Sequence, residues 1–404
     1  MENPGYRLVD SDMHYYEPDD CFTRHLEARY ADRALRVEKG RDGLGRVYFC
    51  GRRIRYLSVT ASDFTNPPGS FRDYLDHGEG RPAMEEQVVA PALTHPQWVR
   101  DRAARLAELD RQGVEAAIML PTLGVSVEYE LWSDVEAGYA ALRAFNRWVE
   151  EDWGLGGDGR IFGAAMLSLT DRELAIEELE RLIADGARFF YLRAGPVPGD
   201  TPGTFRSPAD PYFDPFWARA AEARIMVILH IGNAGYIDLY SRYWGEDGAA
   251  PSHRITAFQH LLFQFDRAVC DTLAAFVLQN LFGRHPGLRV LSIENGSAWV
   301  GYLLKRMDKA QRAQWRVPGI GGALQDKPSD VFRNHVWVCP FYEDDVAGLA
   351  AQIGAARVLL GSDYPHPEGV AQPMDFLRKL EGLSAADARR IARSNAAGLL
   401  GLAA

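Results

Sequence analysis

Short apolar runs alternate with amphipathic helical stretches along most of the chain. Several of these runs are apolar at successive positions, which is typical of strands that are buried on both faces of a parallel sheet. Residues with helical periodicity follow each run. The eight runs lie at Arg7–Asp12, Glu115–Pro121, Ile161–Leu167, Ala187–Leu192, Ile225–His230, Leu288–Glu294, His335–Cys339 and Arg357–Asp363.

The helices between the runs have recognisable ends. Thr170 and Asp171 predict the N-cap of one helix, which Gly186 closes. Ser384 with Asp387 predicts a capping box before the final helix. Eight buried strands, each followed by a helix, predict an α/β fold of the (β/α)8 TIM barrel type. An open doubly wound sheet is the alternative, which is disfavoured because no glycine-rich phosphate loop follows the first strand.

One long segment interrupts the alternation. Residues 20–95 separate the first two strands and are rich in turns and partly β, with Cys50-Gly51 as a predicted hairpin turn. The segment is too long for an ordinary connection of a barrel. We therefore expect residues 1–404 to form a single barrel domain with an insertion at about 20–95 over the barrel mouth, as a lid or a dimer contact.

The predicted strands end in polar residues at the rim where barrels carry their functional side chains. Alternation places Asp10, Asp12 and His14 on one face of strand one. Several polar groups that point into one crevice without a partner would cost too much free energy, so a bound divalent metal is favoured. For Glu294 the alternative is to accept from Ser297 or a backbone amide. The predicted metal ligands are Asp12, His14, His230, Glu294 and Asp363.

The same residues resemble those of the amidohydrolase superfamily, and specifically its amidohydrolase-related branch, which includes aminocarboxymuconate-semialdehyde decarboxylase. The similarity is carried by Asp10-Ser11-Asp12-Met13-His14, by His230 and by Gly361-Ser362-Asp363-Tyr364-Pro365-His366-Pro367. It implies a (β/α)8 barrel with one or two divalent metals per chain.

The sequence departs from the superfamily's usual pattern at three positions. Asp12 stands in the place of the first histidine of the HxH motif, and Glu294 follows strand six where many members carry a histidine. Strand four ends in Tyr191-Leu192-Arg193, without the lysine that bridges two metals in many hydrolases of the superfamily. A mononuclear site and a carboxylate-bridged pair both remain open. The oxygen-rich ligand set suits Mn or Fe as well as Zn.

Roles for individual side chains follow from this resemblance and from the chemistry of the site. We expect His230 and Asp363 to act in catalysis, with Asp363 moving the proton of a metal-activated water. Arg193 is the candidate for binding a substrate carboxylate or carbonyl, and a salt bridge to a loop acid is its alternative. Glu17 is expected to brace strand one. The histidines that could orient a ligand or carry protons, although a surface role is favoured for each, are His253, His260 and His366.

Three functions are compatible with these residues. The first choice is a metal-dependent hydrolase that cleaves an amide, ester or thioester of a bulky acyl or aromatic substrate. The alternative is a non-oxidative, metal-dependent decarboxylase of an aromatic or unsaturated carboxylic acid. A metal-binding scaffold without turnover is disfavoured, because a proton carrier and a ligand set are both present.

Composition and charge limit the classes of partner that we expect this protein to bind. The formal net charge of −10 disfavours nucleic acid, because phosphate binding requires a basic surface. The sequence has neither a signal-peptide pattern nor a run of about 18 apolar residues, so we expect a cytoplasmic protein with no membrane partner. The resemblance further implies a small-molecule substrate and a homodimer.

Overall fold

The computed structural model describes residues 5–57, 60, 64–72, 93–201, 203–252, 254–263, 266–313 and 317–403. Seven of the eight predicted runs form parallel strands, and the third is divided at Ala164. Strands one to seven have the bounds Leu8–Tyr15, Val114–Pro121, Ile161–Gly163 with Ala165–Leu167, Phe189–Leu192, Met226–His230, Val290–Ile293 and Val336–Val338.

The eighth run closes the ring without being a regular strand. The Leu359 amide donates to the Val338 carbonyl of strand seven at 2.9 Å, and the Ser11 amide of strand one donates to the Leu360 carbonyl at 2.9 Å. Strand one pairs with strand two, and the order continues through three, four, five and six to seven. The predicted (β/α)8 barrel is therefore confirmed. The closing strand is irregular where strand one itself shifts register between Asp10 and Met13.

Helices cover the outside of the barrel, and their predicted ends are confirmed. The Asp171 carboxylate accepts from the Leu174 amide at 2.9 Å, and the Ser384 hydroxyl accepts from the Asp387 amide at 3.1 Å. A π-helical turn, Arg390–Ser394, interrupts the final helix. In the described part of the chain the α-helices are Arg102–Arg111, Val135–Asp152, Arg172–Ala184, Asp214–Ala223, Tyr236–Ser241, Ala257–Phe263, Asp266–Leu278, Leu281–Arg284, Ala298–Ala313, Pro328–His335, Val346–Ile353, Ala385–Arg389 and Asn395–Leu400.

The strands are apolar at successive positions because each packs into two cores. In strand five, Met226 and Ile228 belong to the core inside the barrel, whereas Val227 and Leu229 belong to the core between the strands and the helices. The side chains that fill the barrel leave no channel, so the chemistry is confined to the rims.

The segment between strands one and two contains small antiparallel sheets. Leu35–Lys39, Gly45–Phe49 and Arg52–Arg53 form one of them, and the predicted turn at Cys50-Gly51 has the two positive φ values, 50° and 74°, of a type I′ hairpin. Two-residue strands pair Phe64–Thr65 with Leu93–Thr94 and, after strand four, Val197–Pro198 with Phe205–Arg206.

Several hydrogen bonds tie this segment to loops at the carboxyl-terminal rim. The Phe71 amide donates to the Pro367 carbonyl after strand eight, and the Ser252 amide after strand five donates to the Tyr56 carbonyl, each at 2.8 Å. Residues 73–92 lie outside the described part of the chain, so a cover over the whole mouth stays a prediction. Among the described residues, none of the helices has the length and apolar character needed to cross a membrane.

Candidate metal centre

Ligand-type side chains from four strands meet at the carboxyl-terminal rim. The ligand atoms of Asp12, His14, His230 and Glu294 all lie within 4.8 Å of one another. The His230 Nε2 is 2.7 Å from the Glu294 Oε2, and the His14 Nε2 is 3.3 Å from the Asp12 Oδ1. Asp363 joins them, since its Oδ1 is 3.5 Å from the His14 Nε2. The five predicted ligands therefore converge.

The atoms of this cluster are buried and lack hydrogen bonds. Asp12 Oδ1, His14 Nε2, His230 Nε2 and Glu294 Oε2 have no hydrogen-bond partner among the groups that the structure describes, although they lie close together. Buried polar atoms are nearly always satisfied, and leaving several unsatisfied in one place costs free energy that a bound ligand would recover. Two imidazole nitrogens and two carboxylate oxygens fit a divalent transition metal.

His230 is held in the tautomer that a metal needs. Its Nδ1 lies 2.7 Å from the Ile231 carbonyl, which can only accept, so the Nδ1 carries the proton and donates. In the neutral imidazole the Nε2 is then the bare nitrogen and faces the cluster, as in metal-binding histidines whose other ring nitrogen donates to a backbone carbonyl.

The electrostatics of the cluster also favour a bound cation. Burial opposes a charge on His230, yet Glu294 and Asp12 raise the pKa of His230 well above its ordinary value. Burial likewise opposes ionisation of Glu294, and His230 and His14 nevertheless lower the pKa of that carboxyl. The cluster thus attracts protons wherever a metal is absent, and metal and protons compete for it.

Two of the acidic residues adopt an unusual backbone conformation. Glu294 and Asp363 both have φ of 53°, the left-handed region that non-glycine residues rarely occupy. For Glu294 the neighbouring Asn295 explains how it is held: its side-chain amide donates to the Leu229 and Ile293 carbonyls, each at 2.8 Å. Leu229 immediately precedes His230, so one amide fixes the spacing between two of the ligands.

Replacing Asn295 by alanine is expected to weaken metal binding by about 10-fold to 100-fold, as the loss of a side chain that supports the ligands does at other metal sites. Strands five and six would keep the ligands His230 and Glu294 but lose the amide that holds the two strand ends together. The measurement is a competition titration against a chromophoric chelator. Asn146→Ala is the matched control, because that buried amide bonds Met166 away from the cluster. Equal metal affinity in the two variants would contradict this role for Asn295.

Asp363 and His366 form a pair that holds a proton. The Thr122 hydroxyl donates its only hydrogen to the Tyr15 carbonyl at 2.8 Å, so at 3.1 Å from the His366 Nε2 it must accept. The Nε2 therefore carries a proton. On the other side the His366 Nδ1 is 2.6 Å from the Asp363 Oδ1 in hydrogen-bonding geometry, which the contact between His230 and Glu294 lacks, and a hydrogen bond between these two atoms needs a proton. One proton lies between them.

The electrostatics of this pair agree with the hydrogen bonds. Burial raises the pKa of Asp363 well above its ordinary value. Burial alone would lower the pKa of His366, but the neighbouring Asp363 raises it to about 10. Both shifts favour a proton on this pair.

Two other acids, one in strand one and one just after it, brace the backbone. The Asp10 carboxylate accepts from the Asp12 and Ser362 amides at 3.0 and 3.1 Å, and so links strands one and eight. The Glu17 carboxylate accepts from the Leu123 and Gly124 amides at 2.9 Å. Asp10 does not share the cluster with its alternate neighbours because the register shift after it ends the regular alternation.

The brace at Glu17 predicts a dependence of stability on pH. Burial raises the pKa of Glu17 from 4.5 to about 7, so between these values the folded chain binds more protons than the unfolded chain and the free energy of unfolding falls as the pH rises. Glu17→Gln keeps an acceptor for both amides and is expected to be about 2–3 kcal/mol more stable than the wild type above pH 7.

Urea denaturation at pH 5 and pH 8 measures the difference, with the exposed Glu381→Gln as control. Parallel pH profiles for Glu17→Gln and the wild type would contradict this explanation.

The remaining candidates are placed differently from the cluster. The Arg193 guanidinium donates to the Ala194, Ala234 and Pro196 carbonyls, and its Nε is 4.0 Å from the Glu128 carboxylate. These bonds brace the loop after strand four, in keeping with the alternative role expected for Arg193, and substrate contact by this residue stays a prediction. His260 belongs to neither ligand group, and His253 lies outside the described residues.

Two contacts in the site differ from what the sequence favoured or left undecided: those of His366 and of Ser297. His366 was expected to be a surface group, but it is buried, its ring centroid is 4.0 Å from that of His14, and it bonds Asp363. Its position three residues after Asp363 was the available signal. Ser297 donates to Asp344 rather than to Glu294, which leaves Glu294 free for the cluster.

The fold and this cluster define a member of a metal-dependent enzyme superfamily. The chain belongs to the amidohydrolase family, whose model matches residues 9–402. A crystal structure of an amidohydrolase from Mycobacterium avium subsp. paratuberculosis K-10 is 37% identical to it, with a TM-score of 0.87 over 98% of this chain and 100% of that one. The membership expected from the sequence is confirmed.

More distant structures with the same fold are decarboxylases. A dihydroxybenzoic acid decarboxylase from Polaromonas sp. JS666, with bound manganese and 2-nitroresorcinol, is 19% identical over 84% of this chain and 96% of that one, at a TM-score of 0.61. The 5-carboxyvanillate decarboxylase from Sphingomonas paucimobilis is 17% identical over 99% and 100%, at a TM-score of 0.60. At these identities the likeness concerns the fold alone.

Proposed function

We propose that this enzyme is a metal-dependent, non-oxidative decarboxylase of an aromatic or unsaturated carboxylic acid. The observation that carries the proposal is the 2.6 Å hydrogen bond between the His366 Nδ1 and the Asp363 Oδ1, directly beside the ligand cluster, from which we infer a proton held by this pair. Loss of CO₂ from carbon leaves an electron pair that must be protonated, and an acid already loaded with its proton suits that step.

The decarboxylation balances without an oxidant or reductant. The bond between the ring or alkene carbon and the carboxylate breaks, CO₂ leaves, and the electron pair takes the proton held at the Asp363 Oδ1. His366 keeps its Nε2 proton, which faces Thr122, and the pair takes up a new proton from solvent between the His366 Nδ1 and the Asp363 Oδ1. Asp12, His14, His230 and Glu294 would hold the divalent ion, which when bound would supply a Lewis acid for the oxygens of the substrate.

Two further features favour this substrate class. The rings of His14, His366, Tyr16 and His95 follow one another beside the cluster, with successive centroids 4.0, 5.7 and 5.0 Å apart, and such ring surfaces suit a flat, conjugated acid. The decarboxylases with the same fold act, by their names, on dihydroxybenzoic acid and 5-carboxyvanillate. Manganese is the proposed metal, because the ligand set is rich in oxygen and the first of these structures contains it.

The hydrolase that the sequence favoured first is less well supported. Hydrolysis would need an unprotonated Asp363 that accepts a proton from water. The 2.6 Å hydrogen bond between Asp363 and His366 instead favours an Asp363 that already shares a proton. The lysine that bridges two metals in many hydrolases of the superfamily is also missing after strand four.

The test is a panel of hydroxybenzoates and conjugated diacids, incubated with the manganese-loaded enzyme in D₂O. Decarboxylation predicts release of CO₂ and a product with one deuterium at the carbon that lost it. A second panel contains aryl esters, thioesters and amides of the same acids. Turnover in the second panel alone would overturn the proposal and restore the hydrolase.

A further inference from the structure

A second cavity lies at the end of the barrel opposite the ligand cluster. It has a volume of about 490 Å³ and opens where strands four, five and six begin. Its floor is apolar, formed by Ile225, Met226 and Leu399, and the chain's last helix borders it at Gly398 and Gly401. The decarboxylation proposed above uses none of these residues.

Three arginines border this cavity, and the backbone fixes their spacing. The Met226 amide of strand five donates to the Arg188 carbonyl, and the Val227 amide donates to the Arg289 carbonyl, each at 3.0 Å. Arg188 and Arg289 therefore flank strand five on either side. Arg224 ends the helix that precedes this strand, and its carbonyl accepts from the Arg289 guanidinium.

The cavity has positive charge without a matching acid. None of its lining residues is a carboxylate, and within the described residues none of the three arginines forms an ion pair. The neighbouring cavity, which Arg188 also lines, does contain carboxylates, and its Arg102 pairs with Asp158. Burial and the charge of Arg224 lower the pKa of Arg289, so the guanidinium groups repel each other in a chain whose net charge is −10.

We propose that this cavity binds a small anion with a phosphate or carboxylate group. The oxyanion lies between Arg224 and Arg289, whose planar groups suit bidentate contact, and Arg188 borders it from strand four. An apolar part of the ligand lies on Ile225, Met226 and Leu399. Such an anion removes the repulsion between the arginines, whose backbones are fixed by the starts of strands four and six and by the end of the helix before strand five.

The experiment is isothermal titration of the metal-loaded, full-length enzyme with inorganic phosphate and with succinate, at constant ionic strength. The two probes distinguish a phosphate ligand from a carboxylate ligand. We expect saturable binding of at least one probe with a Kd below about 1 mM. The double variant Arg224→Gln/Arg289→Gln is expected to bind it about 10-fold or more weakly, since charge-assisted bonds are lost.

The control is Arg306→Gln/Arg312→Gln, which removes the same charge from an exposed helix outside the cavity. It should bind the probe as the wild type does. Circular dichroism and metal content, measured for every variant, separate a lost site from a lost fold. Absence of saturable binding up to about 20 mM, far above the expected Kd, would overturn the proposal. So would unchanged affinity in the cavity variant, because the anion would then bind elsewhere, for example at the metal.

Discussion

Replacing Asp363 by asparagine is expected to lower kcat about 10³-fold, within the range that general acid catalysis contributes. Asparagine has the same shape, but its amide gives up no proton to carbon. The metal should remain, because Asp12, His14, His230 and Glu294 form a ligand group without Asp363. Steady-state kinetics of decarboxylation, with metal content and circular dichroism on the same sample, measure the effect.

The control for this substitution is Asp308→Asn. That carboxylate also accepts two hydrogen bonds, from the Ser329 amide and hydroxyl at 2.9 and 3.0 Å, but it lies on an outer helix. Its kcat should equal that of the wild type. A kcat for Asp363→Asn within about threefold of the wild type would contradict the proton transfer assigned to it.

Replacing His230 by alanine is expected to weaken metal binding by about 100-fold or more. The loss of a residue that only supports a ligand already lowers metal affinity by about 10-fold to 100-fold, and His230 is itself a predicted ligand. The substitution removes the one imidazole whose tautomer the Ile231 carbonyl fixes, and it leaves Glu294 without its nearest partner at 2.7 Å. Turnover should fall with the metal and return in part at a high concentration of added manganese.

His335→Ala is the matched control for that experiment. The His335 Nδ1 also lies 2.8 Å from a backbone carbonyl, that of Leu288, but at the start of a strand rather than at its end. It should lose stability without losing metal affinity. If His230→Ala and His335→Ala bound metal equally well, His230 would not be a ligand.

The fold could be predicted because burial on two faces leaves a strong pattern. Strand five is apolar at each of its first four positions, and the structure divides them between the inner and outer cores. The eighth strand shows the limit of this pattern. Leu359 and Leu360 are buried as expected, but the register shift in strand one leaves them without a regular ladder. Hydrophobicity predicts burial, and it does not predict where pairing is interrupted.

The ligand cluster could be predicted because the carboxyl ends of barrel strands share one rim. Asp12, His14, His230, Glu294 and Asp363 needed only their strand assignments to be brought together. The functions of Arg193 and His366 depend on where their side chains point, which the sequence does not indicate. Arg193 bonds three loop carbonyls, whereas His366 turns inward between Thr122 and Asp363. Loop geometry decides both, and a residue pattern carries little information about it.

The most direct test of a metal-dependent enzyme is elemental analysis of the purified protein by plasma mass spectrometry, in metal equivalents per chain. The two ligand groups share His14 and Glu294, so they surround one position, and we expect about one equivalent of a divalent transition metal. Chelation should remove it together with the activity, and manganese should restore both. A protein that contains no metal, takes none up and still turns over would contradict the account.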